Sequence, residues 1–266
     1  MYLRAAIGLV PAFSRPRTLP DTVHELRDVK VELHRLADYN RVCGFRLTDA
    51  LPPTYPHILA FPLAMRLMAG TDFPFPVVGL VHVANRIELL RPIDASEPLD
   101  LSVRAADLRP HDRGRQFDIV ATASSGGIEV WRGVSTYLKR EGKGGVRGGD
   151  RAEPPAPSAR WRVAPRVGTD YARVSGDHNP IHTSRIGARL FGFPRPIAHG
   201  MWSKARCLAA LEGRLPAAYT VDVAFKLPIL MPATVAFTAA PSWTFALHDA
   251  RSGKPHLTGA IDGLVG

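Results

Sequence analysis

The feature that most constrains the fold is a pattern that occurs twice, in which a helical apolar segment precedes runs of alternating apolar and polar residues. In the first half, segment 55–69 (YPHILAFPLAMRLMA) is apolar nearly all round, which is typical of a buried helix, and Pro62 predicts a kink or a delayed start. Strand-like runs follow it, at 80–90, 101–105, 117–122 and 128–138. Such runs predict antiparallel strands with one buried face.

The second half of the chain repeats this order. Segment 200–211 (GMWSKARCLAAL) is rich in Ala and Leu and predicts a helix, which Gly213 and Pro216 end. Alternating runs at 221–227, 234–240 and 256–261 then predict strands. Each half is therefore predicted to be α+β, with one antiparallel sheet wrapped around a central helix. That is the hot-dog architecture, and two such halves on one chain make a double hot-dog.

Segment 141–164, between the two patterns, is predicted to be a linker. It is dominated by Gly, Pro and charged residues and has no apolar period of either kind. The predicted domains are therefore 1–140 and 165–266, and 266 residues suffice for two domains of ordinary size.

Composition limits the compartment and the partners. The only two cysteines, Cys43 and Cys207, cannot build a disulfide framework, and no CxxC predicts a structural zinc site. The opening segment, 1–13, is interrupted by Pro11 and is not predicted to be a signal peptide, and no run reaches the ~20 apolar residues of a membrane span. A cytoplasmic protein is expected. The net charge of +10 fits phosphorylated carriers, nucleic acid or an arginine-rich proteome, but no basic run with interleaved aromatics favours nucleic acid.

Segment 171–201 (YARVSGDHNPIHTSRIGARLFGFPRPIAHGM) is the candidate site. Asn179 precedes a proline and Pro180 is excluded from helix interiors, so Asp177 and His182 are predicted to lie on an irregular loop. A carboxylate and an imidazole can hold one water between them and move its protons. A capping Asp and a buried structural His are the alternatives for these two residues.

The motif Gly-Asp-x-Asn-Pro-Ile-His, followed by Gly-Phe and by Pro-Ile-x-His-Gly, resembles the signature of the MaoC-like, or hydratase 2, family. The resemblance implies a double hot-dog fold and reversible hydration of trans-2-enoyl thioesters to (R)-3-hydroxyacyl thioesters. It implies no cofactor. The substrate would be carried by coenzyme A or by acyl carrier protein, and a homodimer would be a compatible assembly. No nucleic acid or membrane partner is expected.

The same resemblance suggests roles for individual residues. Asp177 and His182 would perform acid–base chemistry, and Asn179 would orient the loop or the water. Gly200, at the start of the second helix, would offer its backbone N–H to the thioester oxygen. Structural roles are expected for Ser175 and His199, and packing for Tyr171.

The first half resembles the non-catalytic half of two-domain members. Its segment 81–93 matches a strand that opens with His-Gly-Glu in those members, but His82-Val83-Ala84 stands here, which puts the substrate preference in question. The first half lacks the catalytic motif and is expected to shape an acyl-chain tunnel. The predicted lining alanines are Ala60, Ala64 and Ala69.

A metal site is not expected. His178 and His182 have the spacing of a helical zinc site, but Pro180 opposes that helix and no third ligand is predicted nearby. Coenzyme A phosphates are expected to meet one or more of the arginines Arg185, Arg189 and Arg195. The alternative function is a hot-dog protein that binds acyl thioesters without catalysis, since a fold does not fix a function.

Overall fold

A computed structural model describes residues 15–141 and 156–264. The opening segment and most of the predicted linker lie outside these residues. The N-terminal half contains β1 (Val23–Val29), α1 (Leu33–Cys43), α2 (Tyr55–Met68), β2 (Leu80–Leu89), β3 (Leu99–His111), β4 (Gly114–Ser125) and β5 (Ile128–Arg140). The C-terminal half contains β6 (Ala159–Val163), α3 (Val167–Ser175), α4 (Pro180–Thr183), α5 (Arg185–Leu190), α6 (Gly200–Leu211), β7 (Tyr219–Phe225), β8 (Ala233–Ala239), β9 (Thr244–Asp249) and β10 (Pro255–Gly263).

The ten strands of the described residues form one sheet in the order β1-β3-β4-β5-β2-β7-β10-β9-β8-β6. Read from either outer edge, each half runs through its first, third, fourth, fifth and second strand, so the two halves have the same topology. The halves meet where β2 pairs antiparallel with β7, in a register that runs from Ala84↔Ala224 to Leu89↔Tyr219. The sheet therefore continues without a break from one half into the other.

Helices α2 and α6 are equivalent, since each lies between the first and second strand of its half. Both contribute buried residues to a single core that also contains the inward residues of the strands. Helix α2 begins at Tyr55 and includes Pro62 in its interior, so the predicted delayed start is wrong. None of the helices in the described ranges combines the length and the hydrophobicity that crossing a bilayer requires.

The predicted linker is wrong at its C-terminal end, because residues 159–163 form β6. This strand pairs with β8 at the sheet edge, from Ala159↔Phe237 to Val163↔Ala233. Trp161 of β6 stacks on Phe237 with ring centroids 4.9 Å apart. The strand has only five residues, so it is too short to show a clear alternation beside its Gly- and Pro-rich neighbours.

Trp131 is the largest fully buried side chain of the described core. Replacing it therefore tests the packing of the N-terminal half. Its indole Nε1 donates a hydrogen bond of 2.7 Å to the carbonyl oxygen of Pro53, just before α2. We expect Trp131→Ala to lower the free energy of unfolding by about 3–5 kcal/mol, because it removes this bond and leaves a cavity.

The matched control is Trp243→Ala, since Trp243 lies between β8 and β9 and is 39% exposed. It should cost less than about 1 kcal/mol, as surface substitutions usually do. Urea unfolding of both variants measures the difference. Equal losses would contradict the packing described for Trp131.

Candidate active site

The motif predicted from the sequence sits where α3 ends and α4 begins. Helix α3 stops because Gly176 adopts a left-handed conformation, with φ at 76°. The hydroxyl of Ser175 accepts a hydrogen bond of 3.2 Å from the backbone N–H of Asp177. Asn179 Oδ1 then accepts one of 3.2 Å from the backbone N–H of Ile181 and caps α4. Asp177 is thus fixed on a loop of four residues between two helices.

His182 lies on α4, so its predicted place on an irregular loop is wrong. Pro180 is the first residue of this one-turn helix, a position where its missing N–H is not needed. The backbone at His182 is held closely by α3, because a β-carbon built on Gly168 would lie 2.0 Å from the His182 carbonyl oxygen. Only glycine permits this approach of the two helices.

Asp177, His182 and His199 form one cluster, in which a side-chain ligand atom from each lies within 4.8 Å of the others. His182 Nδ1 is 2.8 Å from the carbonyl oxygen of Ile197. A carbonyl can only accept, so Nδ1 carries the proton and Nε2 keeps its lone pair. Burial lowers the pKa of His182, while Asp177 raises it, and the net shift is downward. The imidazole is therefore neutral and can accept a proton at neutral pH.

His199 ties the loop to α6. Its Nε2 donates a hydrogen bond of 3.0 Å to the backbone carbonyl of Asp177, and its ring lies 3.7 Å from that of His182 at an angle of 24°. Burial, followed by the neighbouring His182, lowers the pKa of His199 to about 3. This neutral ring fixes two members of the cluster at once, which fits the structural role expected from the sequence.

Gly200 is the first residue of α6, directly after His199. Its backbone N–H is among those that a helix start leaves without an intrahelical acceptor, and no side chain caps this end. A β-carbon at this position would lie 3.1 Å from Phe225 Cε1, so any larger residue would push against the Phe225 ring. The helix start therefore offers a donor and a positive dipole end to an oxygen with growing negative charge.

Two histidines that the sequence did not single out as site residues face this cluster from the N-terminal half. His82 of β2 stacks on Tyr137 at 4.7 Å and meets the edge of Phe225 at 5.0 Å, and His57 of α2 lies 6.4 Å from His82. Burial lowers the pKa of His57 to about 4 and that of His82 to about 3, and Asp177 opposes both shifts. The only sequence signal was a histidine inside an otherwise apolar helix or strand.

A narrow crevice of about 10 Å³, enough for about one water molecule, lies between α2 and the N-terminal sheet. It adjoins the motif, because a β-carbon built on Gly176 would lie 4.0 Å from Phe61, one of its lining residues. Most of its walls are small or apolar, and the polar groups are few. The lining residues are His57, Ala60, Phe61, Ala64, Ile119, Ala121, Gly133, Ser135 and Tyr137.

The predicted arginines are not part of the cluster. Arg185 and Arg189 are exposed on α5, and Arg195 is exposed on the following segment. The Arg195 guanidinium donates a hydrogen bond of 3.3 Å to the carbonyl oxygen of Pro232. All three lie on the stretch of chain between His182 and α6.

The expectation that no third metal ligand lies nearby is wrong, since His199 joins Asp177 and His182. His178, the other histidine of the predicted pair, is not a member of the group. With His182 Nδ1 and His199 Nε2 bound to carbonyls, the remaining lone pairs lie in nearly parallel stacked rings. The three ligand atoms are close enough together to hold a bound water or a metal ion.

The chain is similar in sequence to known dehydratases and hydratases that act on acyl thioesters. A family model described as a MaoC like domain matches residues 151–242. The 3-hydroxyacyl-thioester dehydratase X of Mycobacterium tuberculosis is 39% identical over 271 residues, which cover 98% of this chain and 96% of that protein. The enoyl-CoA hydratase ChsH3 of the same organism is 28% identical over 58% of this chain and 57% of that protein.

Solved structures show the same likeness. The crystal structure of HtdX of Mycobacterium tuberculosis matches with a TM-score of 0.83 and 38% identity, over 91% of this chain and all of that chain. A MaoC-like dehydratase from Phytophthora capsici matches with a TM-score of 0.73 and 20% identity, over 92% of this chain and 95% of that chain, which concerns the fold alone. The predicted double hot-dog fold is confirmed.

The buried neutral histidines predict a loss of stability in acid. In the unfolded chain a histidine titrates near 6.5, whereas in the folded protein the pKa of His57 is about 4 and those of His82 and His199 are about 3. As the pH falls below about 6.5, the unfolded chain binds protons that the folded protein does not. Each such histidine then costs about 1.4 kcal/mol of stability per pH unit.

Urea unfolding at pH 7.5, 6.0 and 5.0 measures this slope. His82→Phe should make the slope shallower by one proton, whereas His34→Gln, a substitution at an exposed position, should leave it unchanged. A stability that does not depend on pH between 7.5 and 5.0 would show that these rings are not held neutral.

Proposed function

The chain belongs to the MaoC-like dehydratase family, and from this premise we propose that it catalyses the reversible hydration of trans-2-enoyl thioesters to (R)-3-hydroxyacyl thioesters. The observation that carries the proposal is the placement of Asp177 and His182 side by side, next to the free start of α6 at Gly200. The enzyme is a hydro-lyase of fatty acyl metabolism and uses no cofactor in this scheme.

In the hydration direction, Asp177 and His182 hold one water between them. One of the two removes a proton from the water as its oxygen bonds to C3, and a proton is delivered to C2, so that the elements of water add across the double bond. Negative charge grows on the thioester oxygen as C3 is attacked. The N–H of Gly200 and the helix dipole stabilise that charge, which lowers the barrier. Dehydration follows the same path in reverse.

The crevice beside α2 is the proposed site of the acyl chain. It starts at Phe61, next to the motif loop, and continues along Ala60 and Ala64 towards the inner face of the sheet. The N-terminal half has no Gly-Asp-x-Asn-Pro-x-His motif. Its central helix can therefore contact the acyl chain of the substrate instead of contributing to catalysis. Ala84, which stands where the related two-domain proteins carry a glutamate, bears on the choice of substrate.

The carrier is coenzyme A or acyl carrier protein, and both present phosphate or carboxylate groups to a basic surface. Exposed Arg185, Arg189 and Arg195 flank the cluster along the chain and are the proposed contacts for these anions. A homodimer and a cytoplasmic location stay predictions from the sequence.

The direct test is hydration of crotonyl-CoA and longer enoyl substrates by the purified protein, followed by the loss of enoyl absorbance without added metal or nucleotide. Turnover with at least one chain length supports the proposal. Tight acyl-CoA binding in calorimetry with no turnover on either carrier would instead favour the alternative, an acyl-thioester-binding protein without catalysis.

Substitutions in the motif test the roles of the two acid–base groups. Asp177→Asn and His182→Gln should each lower kcat by at least about 100-fold, because each removes a general acid–base group. The matched control is His178→Gln, since His178 lies between them but is exposed and outside the cluster. It should keep kcat within about 2-fold of the wild type. Full activity in either of the first two variants would reject the assignment.

Chain-length selection tests the proposed acyl site. Ala60→Leu and Ala64→Leu should lower kcat/KM for a C12 substrate more than for a C4 substrate, because the added side chains fill the crevice. Ala69, also expected from the sequence to line the tunnel, is exposed at the end of α2 and absent from the crevice wall. Ala69→Leu is therefore the control. Equal losses for both substrates would place the acyl chain elsewhere.

A further inference from the structure

Lys204 is a fully buried lysine that the proposed chemistry does not use. It lies on α6, four residues after Gly200, and is 0% exposed. Its Nζ donates hydrogen bonds to three oxygens: the Asn85 carbonyl at 3.0 Å, Asn85 Oδ1 at 2.6 Å and the Val221 carbonyl at 3.1 Å. Lysine is rarely buried without a carboxylate partner, so this residue requires an explanation.

The three contacts favour the ammonium form. An ammonium has three donors and no acceptor, which matches three oxygens, whereas a neutral amine would turn its lone pair towards one of them. Burial lowers the pKa of Lys204, and Asp222 opposes that shift. The geometry around Nζ assigns the charged form, which is held by three neutral oxygens, and within ranges 15–141 and 156–264 no carboxylate bonds to it.

Lys204 lies near the start of α6, where its charge can act on the site. One helical turn, about 6 Å along the axis, separates Lys204 from Gly200. The Nζ of Lys204 reaches β2 and β7, where it contacts Asn85 and Val221. The same two strands carry His82 and Phe225, and Phe225 lies against Gly200. The charge also acts on His57 and His82, whose pKa values are lowered first by burial and to a smaller extent by Lys204.

We propose that Lys204 is a positioning residue that acts through its charge: held by Asn85 and Val221, it adds a positive field to the start of α6 and stabilises the thioester oxygen as that oxygen becomes negative. The inference rests on the proposed function. Lys204 does not touch the substrate, because it is fully enclosed and its donors are occupied. The competing view is a purely structural clasp between β2 and β7.

Asn85→Asp separates the two views. The aspartate keeps the oxygen that accepts from Lys204 and adds a negative charge that cancels its field. Asn85 Nδ2 donates to the Ser135 hydroxyl at 3.1 Å and to the Val134 carbonyl oxygen at 3.4 Å. The hydroxyl can reverse and donate to the aspartate, whereas the longer contact to Val134 is lost. The charge-based role predicts a kcat about 10-fold lower with little change in KM and with the thermal midpoint retained. A structural clasp predicts wild-type kcat.

Lys204→Met provides the second variant, since it removes the charge and keeps the length of the side chain. Its kcat per folded molecule, with folding measured by circular dichroism, should fall about as far as that of Asn85→Asp, and it decides the question if Asn85→Asp does not fold. Glu88→Gln is the control, because it changes one charge on β2 next to the exposed Arg86. It should keep wild-type kcat.

The outcomes are distinguishable from a failure of the proposed function. A wild-type protein without hydratase activity contradicts the proposed function itself. If the wild type is active but Asn85→Asp keeps wild-type kcat, only the role of Lys204 is overturned. Lys204→Met decides in the same way if Asn85→Asp does not fold. Lower kcat at wild-type KM in these variants, with the Glu88→Gln control unaffected, supports it.

Discussion

The antiparallel pairing of β2 with β7 is the constraint on which the rest of the structure depends. It joins two half-sheets of the same topology and brings their inner faces to one shared core. A slip of one residue would turn every side chain of one half to the other face. His82 would then lose its contact with Phe225, and Lys204 would lose the two strands that supply its acceptors.

The candidate site is built from neutral histidine rings and from fixed backbone dipoles. Carbonyl oxygens of Ile197 and Asp177 set the proton positions of His182 and His199, and burial keeps both rings uncharged. Such a site stabilises charge that appears during the reaction more strongly than water does, because its dipoles need no reorganisation. In the proposed mechanism, one motif supplies the acid–base pair, and the start of α6 supplies the donor for the oxygen.

The sequence predicted the parts whose signal is local. Alternating and apolar runs located β2 to β5, and the apolar segments located α2 and α6. Asn179 and Pro180 correctly predicted that Asp177 lies on a loop, but the short helices on either side of it were not predicted. Strand β6 was not predicted, because its five residues are too few to show an alternating pattern. His182 was wrongly placed on a loop, because a proline can begin a helix as well as end one, and Pro180 begins α4. The inward-facing histidines of the N-terminal half and the acceptors of Lys204 depend on strands distant in sequence, so no local pattern could reveal them.

The most direct measurement is the stereochemistry of the product formed by the wild-type protein from a trans-2-enoyl thioester in deuterium oxide. One fixed acid–base pair and one fixed oxygen donor allow water to reach a single face of the double bond. The account therefore predicts only the (R)-3-hydroxyacyl thioester, with one deuterium at C2. A racemic or (S) product would contradict it, as would a C2 position that carries no solvent deuterium.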